Sequence, residues 1–203
     1  MVEVFTILIK RIVKNNKKNP LHNALCESGR PNKTQKGMRE AHPFLCYYIL
    51  MNEEVIIEEK DLPIVADELL NYLESSDRDR AAVVFLDGDL GAGKTTFSKV
   101  LAEKLGVVER VISPTFILKK IYKTDHPKFK SLIHIDAYRF TNTKEEKVLQ
   151  LKEDIQDIEK IIVIEWPYNL SEITPDIILS LEIEDETKRK LIISYSKQNE
   201  EQI

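Results

Sequence analysis

The stretch AAVVFLDGDLGAGKTTFSKVLAEKLG, residues 81–106, decides the fold. Ala81–Leu86 is a continuous apolar run with β-branched members, the pattern of a strand covered on both faces. A helix is predicted from about Thr95 to Leu105, ended by Gly106. Between them Gly88, Gly93, Lys94 and Thr95 satisfy G-x-x-x-x-G-K-[ST]. Gly88, Gly91 and Gly93 permit backbone turns that a side chain would obstruct. Successive N–H groups from Asp89, Leu90, Gly91, Ala92 and Gly93 through Lys94, Thr95 and Thr96 can then turn inward onto phosphate oxygens, with a helix N-terminus behind them. Lys94 has the reach for β- and γ-phosphates, and the Thr95 hydroxyl suits Mg²⁺. The loop reads as the seat of a nucleoside triphosphate.

The same alternation continues outward. Val55–Glu58 reads as a short strand. Asp61 is positioned to cap a helix whose apolar residues Leu62, Val65, Ala66, Leu69, Leu70 and Leu73 fall on one face. Phe116–Tyr122 and Ser131–Asp136 read as strands around the polar turn TDHPKF, and 144–159 is charged with helical period. Lys160–Glu165 (KIIVIE) is a second continuous apolar strand, and Ile177–Glu184 with Lys190–Ser194 alternates like an edge hairpin. Helices alternating with buried strands predict a three-layer α/β P-loop NTPase domain. Its sheet is expected to be mixed and mainly parallel, with that antiparallel hairpin at the edge.

Charge divides the 203 residues in two. Residues 1–50 carry 9 Lys/Arg against 3 Asp/Glu, net +6, and residues 51–203 carry 21 against 31, net −10, which together give −4. The acidic body argues against direct, salt-driven binding to a nucleic-acid backbone. Residues 14–43 lack periodicity and are rich in Lys, Asn, Pro and Gly, too polar to offset the entropy of ordering. Three readings of 1–50 follow: a disordered basic extension, sequence upstream of a true start at Met51, or a basic arm that contacts RNA. The first two are favoured, and the domain is expected to span 51–203. Cys26 and Cys46 lack metal-site spacing. No apolar run reaches the eighteen or more residues of a membrane span, and the charges near the N-terminus follow its apolar run rather than precede it. A cytoplasmic protein, without membrane association, is expected.

A triphosphate site needs an acid for its metal and a group that handles the attacking water. Glu165 and Asp136 each end a strand at its carboxyl side, where α/β sheets place ligands. Each has the alternative of being a solvated acid at a strand end. The guanine-reading N-K-x-D pattern is absent from the body; the two Asn-Lys pairs, 16–17 and 32–33, lie upstream without the Asp. Adenine is therefore favoured, and ATP with Mg²⁺ is the expected cofactor pair.

Four blocks now stand in order: GDLGAGKTTF (88–97), SPTF (113–116), HIDAYR (134–139) and IEWP (164–167). Their order and spacing resemble the bacterial TsaE (formerly YjeE) family, small P-loop ATPases required for threonylcarbamoyladenosine modification of tRNA. The resemblance runs from about Met51 to Ile193, and Pro175-Asp176 and Arg189 before the last strands fit it too. It implies that Gly88 through Thr96 cradle phosphates and metal. It places Ser113, Pro114 and Thr115 in a switch-like loop near the γ-phosphate, with Thr115 as the polar contact. It makes Asp136 and Glu165 the acids for Mg²⁺ and hydrolysis, with Thr95 and Glu165 on the metal and Asp136 open between metal and water. His134, Tyr138 and Arg139 complete the central block, and Trp166 sits beside the nucleotide. Plainer alternatives stand beside these. Thr115 could simply follow a turn-forming Ser-Pro, and His134 on an alternating strand has the pattern of a packed, neutral core residue. Trp166 could fill a gap, and Arg139 could pair with a nearby acid. Tyr168 departs from the family, which commonly has an acid after Trp-Pro.

The resemblance further implies MgATP binding and hydrolysis, docking on a TsaD–TsaB-type complex, and contact with tRNA only through that complex. Hydrolysis in isolation is expected to be slow, because phosphoryl transfer depends on positioning and charge neutralisation that a partner can complete. Two rivals remain. A small-molecule kinase would need a lid carrying arginines, and 139–160 holds Arg139 alone. A non-hydrolytic, nucleotide-dependent switch would need the loop but not the acid.

Overall fold

The computed structural model describes residues 53–114, 117–140, 151–170 and 172–195. The basic segment 1–50, Thr115, Phe116 and residues 144–150 of the predicted 144–159 helix lie outside the described residues; of the rest, Leu151–Ile155 is helical. In chain order the elements are β1 (Glu53–Glu58), α1 (Leu62–Ser75), β2 (Ala82–Gly88), α2 (Lys94–Lys104), β3 (Lys119–Lys123), β4 (Ser131–Asp136), α3 (Leu151–Ile155), β5 (Lys160–Glu165), β6 (Ile177–Ile183) and β7 (Lys188–Tyr195).

All seven strands join one sheet in the order β1-β7-β6-β2-β5-β4-β3. The central four, β6-β2-β5-β4, are parallel. Antiparallel pairings flank them: β7 with β6 and β1 on one side, β3 with β4 on the other. The hairpin predicted from 177–194 exists, but it is not the edge. β1 pairs along β7 from Glu53↔Ile193 to Glu58↔Lys188 and takes the edge position. A strand's partner more than a hundred residues away leaves no local trace in its sequence.

Period-two alternation sends the central strands' side chains into two cores. Ala82, Val84, Leu86, Leu132, Ile161, Val163, Leu179 and Leu181 pack under α1 and α2. Val83, Phe85, Ile133, Ile135, Ile162 and Ile164 pack on the opposite face with Leu151 of α3, Phe140, Leu170 and Ile173. This sandwich is the three-layer α/β arrangement. The six apolar residues predicted for α1 are all buried. Asp61 stands at the N-cap position of that helix, as expected, but its side chain makes no cap hydrogen bond to it. Its carboxylate accepts the Glu58 N–H at 2.9 Å and closes the preceding 3₁₀ turn, while Pro63 stands in the first turn of α1. β3 begins at Lys119; Ile117 and Leu118 of the predicted strand lie outside it, Leu118 with a left-handed φ of 64° that interrupts an extended strand, and Phe116 lies outside the described residues. Among the described residues no helix is long and apolar enough to cross a membrane.

α3 is tied to the sheet by Asp154, whose carboxylate accepts from Lys119 of β3 and from Lys160 of β5 at 3.0 Å. Burial pushes its pKa up, but the two lysine hydrogen bonds outweigh burial and hold it below the usual carboxylate value. A depressed folded pKa contributes stability above the unfolded value, and that stability is lost as pH falls through the folded one. Asp154→Asn is therefore expected to cost about 1–3 kcal/mol at neutral pH and less in acid. Urea melts at a series of pH values check this; a cost independent of pH would refute the ionic account.

Candidate functional site

The glycine loop joins β2 to α2. Gly88, Gly91 and Gly93 have φ of 131°, 79° and 108°, so each glycine supplies a conformation other residues resist. A Cβ built on Gly91 or Gly93 would meet no protein atom within 4 Å. The loop is thus open on that side. Gly93 stands at the N-cap of α2 and supplies no side-chain cap, which leaves the first-turn N–H groups to an outside acceptor.

Lys94 is 5% exposed and folds back along the loop. Its Nζ donates to the carbonyls of Gly88 (2.6 Å) and Asp89 (2.9 Å) and lies 3.7 Å from the centre of the Trp166 ring. Burial lowers its pKa, while Glu165, Asp87, Asp136 and Asp89 act in the opposite direction. One ammonium therefore sits among four carboxylates. An anionic ligand entering such a site needs a cation with it.

Strand register brings the acids together. β4 and β5 pair in parallel with Asp136 beside Glu165, and side-chain parity places His134, Asp136 and Glu165 on the α2 face of the sheet. Glu165 is 2% exposed, so it is not a solvated strand end. Its Oε2 accepts from the Thr95 hydroxyl at 2.9 Å, and its Oε1 contacts Ser98 Oγ at 3.1 Å and His134 Nε2 at 2.7 Å. The single Ser98 proton is shared with the Lys94 carbonyl, also at 3.1 Å. Asp136, 4% exposed, accepts from the Tyr138 N–H at 3.0 Å and from Ser113 Oγ at 3.3 Å.

His134 is fully buried, as a core histidine would be, yet it touches the site acid, and its Nδ1 has no hydrogen-bond partner among the described residues. Trp166 is half-buried, with Tyr138 at 5.0 Å and Tyr168 at 6.2 Å between ring centres. It adopts φ 60° immediately before Pro167, and its N–H donates to the Leu86 carbonyl at 3.2 Å. The two non-glycine left-handed residues among those described, Leu118 and Trp166, both adjoin a site acid. Leu118 accepts the Asp136 N–H at 3.1 Å, and Trp166 follows Glu165. Strained backbone of this kind persists where the surroundings over-determine it.

The structure thus gathers Lys94, Thr95, Asp136, Glu165 and Trp166 at one end of the central strands. Asp89 and Leu90 form the exposed outer part of the loop, Ala92 is buried, and Thr96 is half-buried in the first turn of α2. Arg139 is exposed, and Thr115 lies outside the described residues. Ser98 on Glu165 has no sequence signal; Arg189 fits the resemblance and Tyr168 departs from it, but nothing local in the sequence foretells their contacts with the glycine loop and the Asp87 carboxylate. Tyr168 has its pKa raised above the usual phenol range, by burial first and then by Asp87. Among the described residues no three His, Cys, Asp or Glu side chains form a metal cage. A Mg²⁺ completed by phosphate oxygens and water needs fewer protein ligands than that, and the hard oxygens of Thr95 and Glu165 fit it.

The tRNA threonylcarbamoyladenosine biosynthesis protein TsaE of Aquifex aeolicus is 39% identical over 146 residues, which cover 71% of this chain and 96% of that protein. The protein of the same name from Rickettsia prowazekii is 38% identical over 120 residues, 58% of this chain and 78% of its own. The crystal structure of Bacillus subtilis YdiB superposes with a TM-score of 0.51 at 24% identity, covering 72% of this chain and 88% of that one, a likeness of fold. The family described as threonylcarbamoyl adenosine biosynthesis protein TsaE matches residues 57–192, and on that match, with the Aquifex relative beside it, the chain belongs to the TsaE family.

Proposed function

We propose that this protein binds and hydrolyses MgATP in support of threonylcarbamoyladenosine modification of tRNA, acting on a TsaD–TsaB-type protein complex. The observation that carries the nucleotide chemistry is the 2.9 Å contact between Thr95 on the loop and Glu165 on β5. That pairing of a loop hydroxyl with a strand-end acid is what a phosphoryl-transfer site requires. The names of the relatives support the pathway.

Thr95 and Glu165 would hold Mg²⁺, which when bound neutralises phosphate charge. The N–H groups of the glycine loop and the first turn of α2 bind phosphate oxygens. Lys94 exchanges the Gly88 and Asp89 carbonyls for the β- and γ-phosphates. Asp136, held by Ser113 and the Tyr138 N–H, orients the attacking water. Trp166, beside Lys94, packs over the nucleotide and helps to exclude bulk water. The acidic body suits a protein that works on a protein partner and reaches tRNA through it. Residues 1–50 are dispensable to this chemistry, and 51–203 forms the working domain.

Turnover by the isolated protein is expected to be slow, because phosphoryl transfer depends on positioning that a partner can complete. The test is MgATP hydrolysis by residues 51–203 with and without a purified TsaD–TsaB complex. Stimulation of about tenfold or more is expected. Hydrolysis indifferent to the complex but accelerated by a hydroxylated metabolite would replace this reading with the small-molecule kinase.

A further inference from the structure

Arg189 lies on β7, in register with Ile57 of β1 and Ile183 of β6, 97 residues beyond Ala92. Its guanidinium nevertheless reaches the glycine loop. Nε donates to the Ala92 carbonyl at 3.1 Å and Nη2 to the Gly91 carbonyl at 3.4 Å. Nη1 turns the other way and donates to the carbonyls of Asp185 (2.9 Å) and Lys188 (2.8 Å) in the β6–β7 turn. One planar group thus fastens the loop to the hairpin. The loop also rests on that hairpin at Gly88, where a Cβ would lie 2.2 Å from the Leu181 carbonyl oxygen.

We propose that Arg189 is a positioning residue for the phosphate cradle, holding the loop's peptide planes in binding orientation from the side opposite the ligand. The proposal rests on the nucleotide reading above and deepens it. Its basis is the trans peptide, in which the carbonyl of one residue and the N–H of the next point in opposite directions. No cis peptide occurs among the described residues. Drawing the Ala92 carbonyl towards Arg189 therefore turns the Gly93 N–H away from it. The Gly91 carbonyl fixes the Ala92 N–H in the same way, and that N–H closes the loop's own turn on the Asp89 carbonyl at 3.1 Å.

The loop needs such fastening. Gly91 and Gly93 have the widest backbone freedom of any residue type, and no protein atom lies where their Cβ would pack. Left to itself the segment would have to be ordered by each arriving phosphate, at a cost in affinity. Donors fixed beforehand avoid that reorganisation. Arginine suits the task because its rigid fork serves both carbonyls and the turn together, whereas a lysine ammonium is a single point on a flexible stem.

Two measurements test this, on the full chain. Backbone amide resonances of Gly91, Ala92 and Gly93, recorded without nucleotide, are expected to shift in Arg189→Gln while those of β2 and β5 stay in place. Calorimetry with MgATP and with inorganic triphosphate is expected to show affinity weakened about tenfold for both ligands in Arg189→Gln, and less in Arg189→Lys. Asp185→Ala is the structural control. It removes the side-chain bonds of the turn to Thr187 and Lys188 and leaves the Arg189 guanidinium in place. Its affinity is expected to stay within about twofold of the parent. Loop amides that do not move, affinities unchanged in Arg189→Gln, or an equal loss in Asp185→Ala would each overturn the proposal. A parent protein that fails to bind MgATP would overturn the nucleotide reading instead, and the amide shifts would still decide whether Arg189 sets the loop.

Discussion

Lys94→Ala and Glu165→Gln are expected to share a loss of turnover and to differ in binding. Lys94 is the cation among Asp87, Asp89, Asp136 and Glu165. Without it, a triphosphate enters a site of uncompensated negative charge. Affinity for MgATP should fall about a hundredfold and turnover about a thousandfold. Glu165→Gln keeps the shape and much of the hydrogen bonding. A glutamine can set its carbonyl oxygen towards Ser98 and His134 and its amide towards Thr95, whose hydroxyl then accepts. The reverse orientation would require the imidazole proton on Nδ1, a buried atom without a partner among the described residues. The fold and most nucleotide affinity should survive, within about tenfold, while the lost charge lowers single-turnover hydrolysis by about 10²–10³-fold. Calorimetry and a quenched single-turnover assay separate the two effects. Glu165→Gln protein that supports tRNA modification at the parental rate would show that occupancy alone matters, and the nucleotide-dependent switch would replace the ATPase.

These residues differ in how openly the sequence displays them. The loop was legible because its requirements are local: glycines where φ is positive, a lysine one residue later, an apolar strand before and a helix after. The α1 face was legible for a similar reason, since Leu62 to Leu73 follow the helical period. Glu165 and Asp136 could be nominated from their places at strand ends. Their side-by-side pairing depends on β4 and β5 being neighbours in register, which neither strand encodes alone. His134 shows the limit well. Its alternating strand announced burial, but its contact with Glu165 arises across that same pairing. Arg189 is further removed still. Its reach to Ala92 requires the β6–β7 hairpin to lie beside β2, from which a long stretch of chain separates it. Asp61 erred in the other direction. The residue took the N-cap position, but its carboxylate went to the Glu58 N–H of the preceding turn rather than to the helix.

Gly88→Ala is expected to be the most damaging glycine-to-alanine change among the described residues. β2 and β6 pair in parallel with Gly88 opposite Leu181. A Cβ on Gly88 would stand 2.2 Å from the Leu181 carbonyl oxygen and 3.1 Å from its carbon, and these are backbone atoms that no rotamer change can move. The residue also holds φ 131°, which alanine resists independently of space. Relief requires β6 to part from β2 at the end of the sheet that carries the loop. A loss of roughly 4 kcal/mol or more follows, a melting point lower by about 10 °C for a domain of this size. Gly91→Ala is the informative partner. Its φ of 79° carries strain, but no atom lies within 4 Å of the added methyl. Its stability cost should stay near 1–2 kcal/mol. Because the methyl projects into the open side of the loop, its loss of nucleotide affinity should be out of proportion to that cost. Thermal melts and MgATP titrations of both variants, side by side, test the assignment. A Gly88→Ala protein melting within about 2 °C of the parent would mean that the loop does not rest on β6 as described. The glycine at 88 would then serve the ligand rather than the sheet.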